Sequence, residues 1–305
     1  MLFVNSHLCY DVCMNPVRII LIVALGVLLP VFSVFYLVPA FRGEIDILSG
    51  LYLGSVHIRF YGLLMAMAVL VGFFIASWYA PKFGIEKKDV EAALPWVVVF
   101  GFLGARLYYV VFSWNEFPSL LDVVQVWKGG LSIYGGVIGG ILGMFVYVRR
   151  RGVRFMTFLD LFATALPLGM SIGRWGNFFN QEAFGTPTNL PWKMYIEPAH
   201  RPFQYLFNMY FHPTFLYESL WDICVFFILL YLLYSLKVGV SPGRLAGSGL
   251  ILYSLGRFFI ESLRVDSFFI NSIRVDQVTS LVMMVAGTII LFTSYEKAKQ
   301  NLESN

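Results

Sequence analysis

The chain has 305 residues, of which 58% are hydrophobic and 13% are charged. A soluble domain typically has about 45–50% apolar and about 25% charged residues, so this composition excludes an ordinary soluble protein and predicts a membrane protein. The formal net charge of +4 says little about partners, because in a membrane protein the placement of Lys and Arg is more informative than their sum.

Apolar runs recur along the chain, and each is close to the roughly 20 residues that a helix needs to cross about 30 Å of hydrocarbon. Helices are expected because lipid offers no partner for unpaired backbone groups. We therefore predict an all-α, polytopic membrane helix bundle with seven core transmembrane helices and an extra N-terminal helix. The predicted spans are 19–39, 60–79, 93–112, 131–148, 156–172, 215–236, 246–263 and 277–294.

The first apolar run has two interpretations. Val38-Pro39-Ala40 could serve as the cleavage site of a signal peptide. The run is longer, however, than the roughly 7–15 apolar residues of a signal core, which favours a retained anchor helix. Met14 is an alternative start of the chain.

Lys and Arg are concentrated in alternate connections, which predicts that these connections and the C-terminus are cytoplasmic. The positive segments are 81–91, 149–154, Lys237 with Arg244, and Lys297 with Lys299, whereas 113–130 and 178–214 are poorer in Lys and Arg. The predicted organisation is an N-terminal extension (1–50), a transmembrane domain (51–296) with an extracytoplasmic segment near 178–214, and a cytoplasmic tail (297–305).

Glycines in the fourth run lie four residues apart at Gly135, Gly139 and Gly143. This spacing places them on one helix face and allows a second helix to approach closely. It predicts packing rather than chemistry.

Nine ionisable residues lie inside or at the edge of apolar spans, where charges are costly and usually face a bundle interior or a wet cavity. They are Arg106, Asp160, Arg174, Glu182, Glu218, Asp222, Arg257, Glu261 and Arg264. In the seventh run, Tyr253, Arg257, Glu261 and Arg264 share one helix face. Arg257 and Glu261 could pair there, either as part of a site or only to fix helix packing.

The most unusual string is GRWGNFFNQEAFG at 173–185, where an apolar span ends. Its three glycines allow close approach of backbone to a ligand, and Arg174, Asn177, Asn180 and Glu182 supply a guanidinium, two amides and a carboxylate. The string predicts a lipid head-group site; the alternative is a capped helix end with an interfacial Arg.

A second string, HPTFLYES at 212–219, opens the next span from the same predicted side and can converge with the first. Pro213 favours a helix start. Considered alone, His212 is more typical of a hydrogen-bonded interface residue than of a base, and Tyr217 of an aromatic belt.

The motif G-R-x-G-N-F-x-N-x-E-x-x-G is met in full by residues 173–185, and the chain resembles the bacterial prolipoprotein diacylglyceryl transferases from about Val56 to the end of the last span. Supporting strings are IRFYG at 58–62, GAR at 104–106, GGLSIYGG at 129–136, HPTFLYE at 212–218, and Tyr253 with GRF at 256–258, Glu261 and Arg264.

The resemblance implies a phosphatidylglycerol-prolipoprotein diacylglyceryl transferase of the bacterial cytoplasmic (inner) membrane. Such an enzyme joins the sn-1,2-diacylglyceryl group of phosphatidylglycerol to the lipobox cysteine thiol of a prelipoprotein as a thioether. Glycerol 1-phosphate is released, and the step is the first in lipoprotein maturation. The implied partners are phosphatidylglycerol, prelipoprotein signal peptides with a lipobox cysteine, and membrane lipids; no cofactor, metal or nucleic acid is expected.

The resemblance also implies roles for individual residues. Arg174 and Arg257 are the candidates for the lipid phosphate, because a guanidinium stays charged and presents two aligned donors. Glu182 and Glu261 are expected to orient these two arginines. The implied catalytic residues are Arg174, Arg257, Glu182, Tyr134 and Glu261, and the implied substrate-binding residues are Tyr61, Arg106, Asn177, Asn180, Gly185, His212, Tyr253 and Arg264.

Two positions depart from the family pattern. Tyr134 stands where some members have His, and Phe215 where many have Gln. The first departure leaves the general base open, because a phenol with a pKa near 10 is a poor base unless a nearby Arg lowers that value. Alternatively, the substrate thiol, with a pKa near 8.5, could lose its proton in the positive field of the arginines.

Two hypotheses from other classes use the same buried charges. A transporter or channel would line a solute path with them, but transporters often have paired halves with broken helices, and no such symmetry is detectable here. A non-catalytic lipid-binding scaffold would bind phosphatidylglycerol without turnover. Solute uptake, lipid binding and lipid transfer by purified protein distinguish the three.

Overall fold

The structure is a computed structural model that describes residues 31–54, 56–117, 119–126, 129–235 and 241–303. Within these ranges, seven helices have at least 18 residues. They are α1 (Phe60–Tyr79), α2 (Lys87–Phe112), α3 (Ile133–Arg151), α4 (Phe155–Asn180), α5 (Thr214–Ser235), α6 (Arg244–Glu261) and α7 (Val275–Glu303). The predicted all-α membrane bundle is confirmed as a fold class.

The strands within these ranges are short and form three antiparallel pairs. They are β1 (Gly50–Leu53) with β2 (Val56–Arg59), β3 (Met194–Tyr195) with β4 (Tyr210–Phe211), and β5 (Phe269–Ile270) with β6 (Ile273–Arg274). Shorter helical pieces include Ser33–Leu37, Val38–Arg42 and Leu120–Val124.

Five of the long helices, α1, α2, α4, α5 and α7, are long and apolar enough to cross a membrane. Of the other two, α3 ends in three arginines and α6 contains Arg244, Arg257 and Glu261. The number of spans therefore stays a prediction. Most of the predicted first span, 19–39, and Lys237 lie outside the described residues.

Helix α4 is longer than the predicted span 156–172, because it continues to Asn180. Arg174 and Asn177 are consequently helical residues. The helix stops where Gln181 adopts φ 48°, and the N–H of Glu182 donates to the carbonyl of Asn177 at 3.0 Å. The polar end of the motif thus folds back onto the last helical turn.

The described residues form two compact units. The larger unit comprises residues 49–183 and 214–303, and it contains all seven long helices. The smaller unit comprises residues 31–48 and 184–213. In the smaller unit, the Tyr210 hydroxyl donates to the carbonyl of Arg42 at 3.2 Å. The described part of the N-terminal extension therefore packs with 184–213, a pairing that the sequence does not predict.

Helices α2 and α3 pack through glycines, as the spacing of the fourth run predicts. A Cβ atom at Gly104 would collide with the carbonyl oxygen of Gly135, and one at Gly139 would collide with the carbonyl oxygen of Phe100. Both obstacles are backbone atoms, which cannot move without separating the helices. The predicted close contact is confirmed.

A buried carboxylate ties α4 to the beginning of α6. Asp160 is fully buried on α4 and accepts hydrogen bonds from the backbone N–H groups of Gly243 (2.6 Å) and Ala246 (2.7 Å). The first N–H groups of a helix have no partner within that helix. Asp160 supplies one from a neighbouring helix, and the negative charge is favourable at that helix end.

We expect Gly139→Ala to destabilise the protein by about 1–3 kcal/mol, the usual cost of overpacking, because the added Cβ collides with the carbonyl oxygen of Phe100. Gly140→Ala is the matched control, because a Cβ there meets Val97 at 3.6 Å, an ordinary contact distance. Thermal unfolding of the two variants in detergent measures the difference, and equal melting temperatures would show that the glycine contact is not tight.

We expect Asp160→Ala to destabilise the protein by about 1–3 kcal/mol, because two buried N–H groups lose their acceptor. Asp46→Ala, at an exposed position, should leave the unfolding temperature unchanged. Hydrogen exchange of the first turn of α6 should rise in Asp160→Ala. Unchanged exchange there would contradict the capping role.

Candidate functional site

The two arginines that the sequence selects meet at one carboxylate. Glu218 on α5 has Oε2 at 2.7 Å from Nε of Arg174 on α4, and Oε1 at 2.5 Å from Nη1 of Arg257 on α6. Glu218 is only 5% exposed. Three helices thus converge on a single buried ion-pair cluster.

Arg257 also binds two further carboxylates through Nη2. The distance is 2.7 Å to Oε2 of Glu261, one turn along α6, and 2.6 Å to Oδ2 of Asp276 at the beginning of α7. The pairing of Arg257 with Glu261 that their spacing suggests is therefore present. Arg264 lies beyond the end of α6, with Nη1 at 3.4 Å from Oε1 of Glu218 and Nη2 at 2.7 Å from Asp266.

The cluster extends to α3 through a phenol. The Tyr134 hydroxyl, at the beginning of α3, donates to Oδ1 of Asp276. Tyr134, Asp276, Arg257, Glu218 and Arg174 therefore form one connected series across five helices. Within the described residues, this series brings together three of the five predicted catalytic residues with Glu261 attached at Arg257.

A small cavity opens on this cluster. It is lined by Arg174, Glu218, Trp221, Asp222, Tyr253, Arg257 and Ile260. Asp222 is 2% exposed, and its Oδ2 has no hydrogen-bond partner among the described residues. Tyr253, predicted from the face of the seventh run, thus lies at the same cavity as the two arginines.

An apolar groove of about 530 Å³ adjoins the cavity between α5 and α6. Its lining is Tyr217, Leu220, Trp221, Cys224, Leu255, Gly256, Phe259 and Ile260, and two of these residues, Trp221 and Ile260, line the charged cavity as well. The Trp221 indole N–H donates to the carbonyl of Leu252 at 2.9 Å. Charged and apolar surfaces thus meet at one fixed indole.

The end of α4 forms a polar cluster of its own. Glu182 Oε1 accepts hydrogen bonds from the amides of Asn177 (2.9 Å) and Asn180 (3.2 Å). Tyr61 on α1 packs against Gly176 and lies within electrostatic range of Arg174 and Glu182. Glu182 therefore holds two amides, and the carboxylate that binds Arg174 is Glu218, which differs from the expected orienting role of Glu182.

Arg106 does not join the cluster. Its guanidinium donates to the carbonyls of Val123 (2.7 Å), Asp122 (2.7 Å), Gly129 (2.8 Å) and Gly130 (2.8 Å). These bonds hold the segment that precedes α3, where the N–H of Ser132 also donates to the carbonyl of Ala105 at 3.0 Å. The contacts support a structural function, and the predicted substrate-binding role of Arg106 stays a prediction.

Gly185 and His212 belong to the smaller unit, where they are backbone partners. The N–H of Gly185 donates to the carbonyl of His212 at 2.8 Å, and the N–H of His212 donates to the carbonyl of Thr186 at 3.1 Å. Burial lowers the pKa of His212 below its ordinary value. The imidazole is therefore neutral at neutral pH.

Three acidic residues of the site, Glu218, Asp222 and Asp276, have no predicted role from the sequence, and the sequence indicates them to different degrees. Glu218 and Asp222 are recognisable as charges within an apolar span, but their spacing does not indicate which arginine they approach. Asp276 begins the last helix, where an acidic residue is commonplace because it complements the helix dipole. Only the folded arrangement places it beside Arg257.

The comparisons with known proteins agree with the motif. A family model described as prolipoprotein diacylglyceryl transferase matches residues 49–293. Relatives named phosphatidylglycerol–prolipoprotein diacylglyceryl transferase include one from Thermotoga maritima, 43% identical, with 93% of this chain and 98% of the relative covered. Another, from Fervidobacterium nodosum, is 41% identical with 88% and 93% covered, and a third, from Thermosynechococcus vestitus, is 45% identical with 82% and 93% covered.

The match extends over most of this chain and of each relative, and it includes every helix that carries the charged cluster. The resemblance predicted from the motif at 173–185 is confirmed. This membrane protein belongs to the prolipoprotein diacylglyceryl transferase family.

Proposed function

We propose that this protein transfers the sn-1,2-diacylglyceryl group of phosphatidylglycerol to the lipobox cysteine thiol of a prelipoprotein, with release of glycerol 1-phosphate. We place it in the bacterial inner membrane, with the C-terminus in the cytoplasm and the end of α4 towards the outer side. The observation that carries the proposal is the convergence of Arg174 and Arg257 beside an apolar groove.

A phospholipid substrate has two chemically different ends, and the site has a surface for each. The guanidiniums of Arg174 and Arg257 suit the phosphate, because they stay charged in a low-dielectric site and offer paired donors. The groove between α5 and α6 suits acyl chains, since its lining is apolar. The shared residues Trp221 and Ile260 set the two surfaces side by side.

In the proposed reaction, the cysteine sulfur attacks the glycerol carbon that bears the phosphate. A carbon–sulfur bond forms and the carbon–oxygen bond to the phosphate breaks, so that the departing phosphate oxygen takes the electron pair. Arg174 and Arg257 stabilise the charge that develops there, which is the largest contribution that a fixed site of this kind makes. The thiol must also lose its proton, because the thiolate is the nucleophile.

A lipid phosphate that binds here competes with Glu218. The two oxygens of Glu218 are already paired with Arg174 and Arg257, so the phosphate must share these guanidiniums with Glu218 or displace it. Removing one member of a buried ion pair leaves an uncompensated charge, which costs several kcal/mol. A phosphate that replaces Glu218 at one guanidinium keeps that guanidinium paired, and Glu218 retains Arg264 as a neighbour at 3.4 Å.

We expect Arg174→Ala and Arg257→Ala each to lower the rate of transfer by at least about 10²-fold, the usual effect of losing one donor to the developing charge. Arg→Lys at either position should restore little, because a single ammonium does not reproduce the fork. The assay reconstitutes purified protein with labelled phosphatidylglycerol and a lipobox peptide, and it measures both the lipidated peptide and glycerol 1-phosphate.

Arg149→Ala, at an exposed position at the end of α3, is the matched control and should keep normal transfer. A Cys→Ser peptide should not be modified. Normal transfer in either Arg174→Ala or Arg257→Ala would contradict the assigned phosphate site. Phosphatidylglycerol binding by the wild type without release of glycerol 1-phosphate would indicate a scaffold instead of an enzyme.

We expect Cys224→Trp, which fills the groove, to raise the KM for phosphatidylglycerol with long acyl chains several-fold, with little change for short-chain lipid. Each CH₂ excluded from an apolar surface costs about 0.8 kcal/mol. Phe227→Trp places the same side chain at another exposed position on α5 and should leave both KM values unchanged. Equal KM values for Cys224→Trp and the wild type would exclude the groove as the acyl site.

A further inference from the structure

Tyr134 stands at the position where some members of the family have His, yet its hydroxyl is not isolated. It donates to Oδ1 of Asp276, which begins a different helix. Tyr134 is 46% exposed, so a substrate group can approach this residue. A half-exposed phenol backed by a carboxylate can both accept a proton and pass one on.

The other oxygen of Asp276 connects this pair to the proposed phosphate site. Oδ2 lies 2.6 Å from Nη2 of Arg257, and the same nitrogen is 2.7 Å from Glu261. Arg264 lies within electrostatic range of Asp276, and Tyr253 lies within electrostatic range of Tyr134. Asp276, which accepts the hydrogen bond of Tyr134, is therefore paired with Arg257, one of the two guanidiniums that we propose for the lipid phosphate.

We propose that Tyr134 and Asp276 form the relay that takes the proton from the substrate thiol, an inference that rests on the proposed transferase function. The thiol proton passes to the Tyr134 oxygen while the Tyr134 hydroxyl proton passes to Oδ1 of Asp276. The sulfur gains a bond to the glycerol carbon, and the phosphate leaves with its electron pair. Tyr134 is neutral before and after the step, and Asp276 becomes a neutral acid that later releases its proton to water.

The relay explains how a phenol can remove a proton at neutral pH. A tyrosine with a pKa near 10 rarely exists as the phenolate at neutral pH, but in the relay Tyr134 never has to become a phenolate. The relay also makes proton acceptance by Asp276 depend on bound lipid. A phosphate that takes over Nη2 of Arg257 removes a donor that favours the charged carboxylate, so Asp276 accepts a proton more readily.

The test compares the wild type, Tyr134→Phe, Asp276→Asn, and Asp276→Asn combined with Tyr134→His. We expect each single variant to lose about 10²-fold in kcat, the usual contribution of a positioned base, with the KM for phosphatidylglycerol changed by less than about threefold in Tyr134→Phe. The double variant should regain at least about tenfold over Asp276→Asn, because an imidazole accepts the proton without a partner.

The pH profile supplies a second readout. The substrate thiol has a pKa near 8.5, so raising the pH from about 7 to about 9 produces thiolate without enzyme assistance. The deficit of Tyr134→Phe should therefore shrink by about tenfold over this interval. A variant that only disturbs packing would keep the same deficit at both pH values.

A second Tyr–Asp pair in the same bundle is the matched control. The Tyr147 hydroxyl on α3 donates to Oδ1 of Asp89 on α2 at 3.0 Å. Tyr147→Phe and Asp89→Asn remove the same chemical groups, and both should keep kcat within about twofold because neither touches a reacting atom.

Wild-type kcat in Tyr134→Phe would overturn the relay. A second pattern would also overturn the relay: kcat falls in Asp276→Asn, kcat is kept in Asp276→Glu, and adding Tyr134→His to Asp276→Asn restores no activity. That pattern assigns Asp276 only to the support of Arg257. Neither result affects the proposed function, which fails only if the wild type itself transfers no lipid.

Discussion

The arrangement of this protein depends on one buried carboxylate. Glu218 lies on α5 and forms ion pairs with Arg174 from α4 and Arg257 from α6. Each helix brings a charge that would be costly in a membrane by itself. Because the charges neutralise one another, the three helices can meet at this point, and the ion pairs fix which helical faces do so.

Buried ion pairs contribute little net stability, since the cost of desolvation offsets most of their attraction. An apolar core of similar volume would hold helices together at least as well. In the proposed function, the cluster allows an exchange of partners, because a guanidinium that is paired with a carboxylate can pair with a phosphate instead. In the proposed function, the apolar groove at Trp221 and Ile260 receives the acyl chains next to the charged cavity.

Two polar side chains outside the cluster position the elements that carry it. Asp160 caps the first turn of α6, which bears Arg257. Arg106 binds four backbone carbonyls in the segment before α3, which bears Tyr134. Both are charges within apolar sequence, as the site residues are, yet their partners are backbone groups. A charge in a membrane helix therefore indicates a polar environment. Only the partners of the charged group show whether it holds the backbone of a neighbouring element or belongs to the ion-pair cluster.

The sequence by itself determined the all-α membrane class, the close glycine contact at Gly139 and the pairing of Arg257 with Glu261, because composition and helical periodicity are local properties. The motif at 173–185 determined the family. Tertiary structure alone decided that Glu218 pairs with both arginines and that Asp276 accepts a hydrogen bond from Tyr134. These partners lie on different helices, and sequence spacing does not specify which faces of separate helices meet.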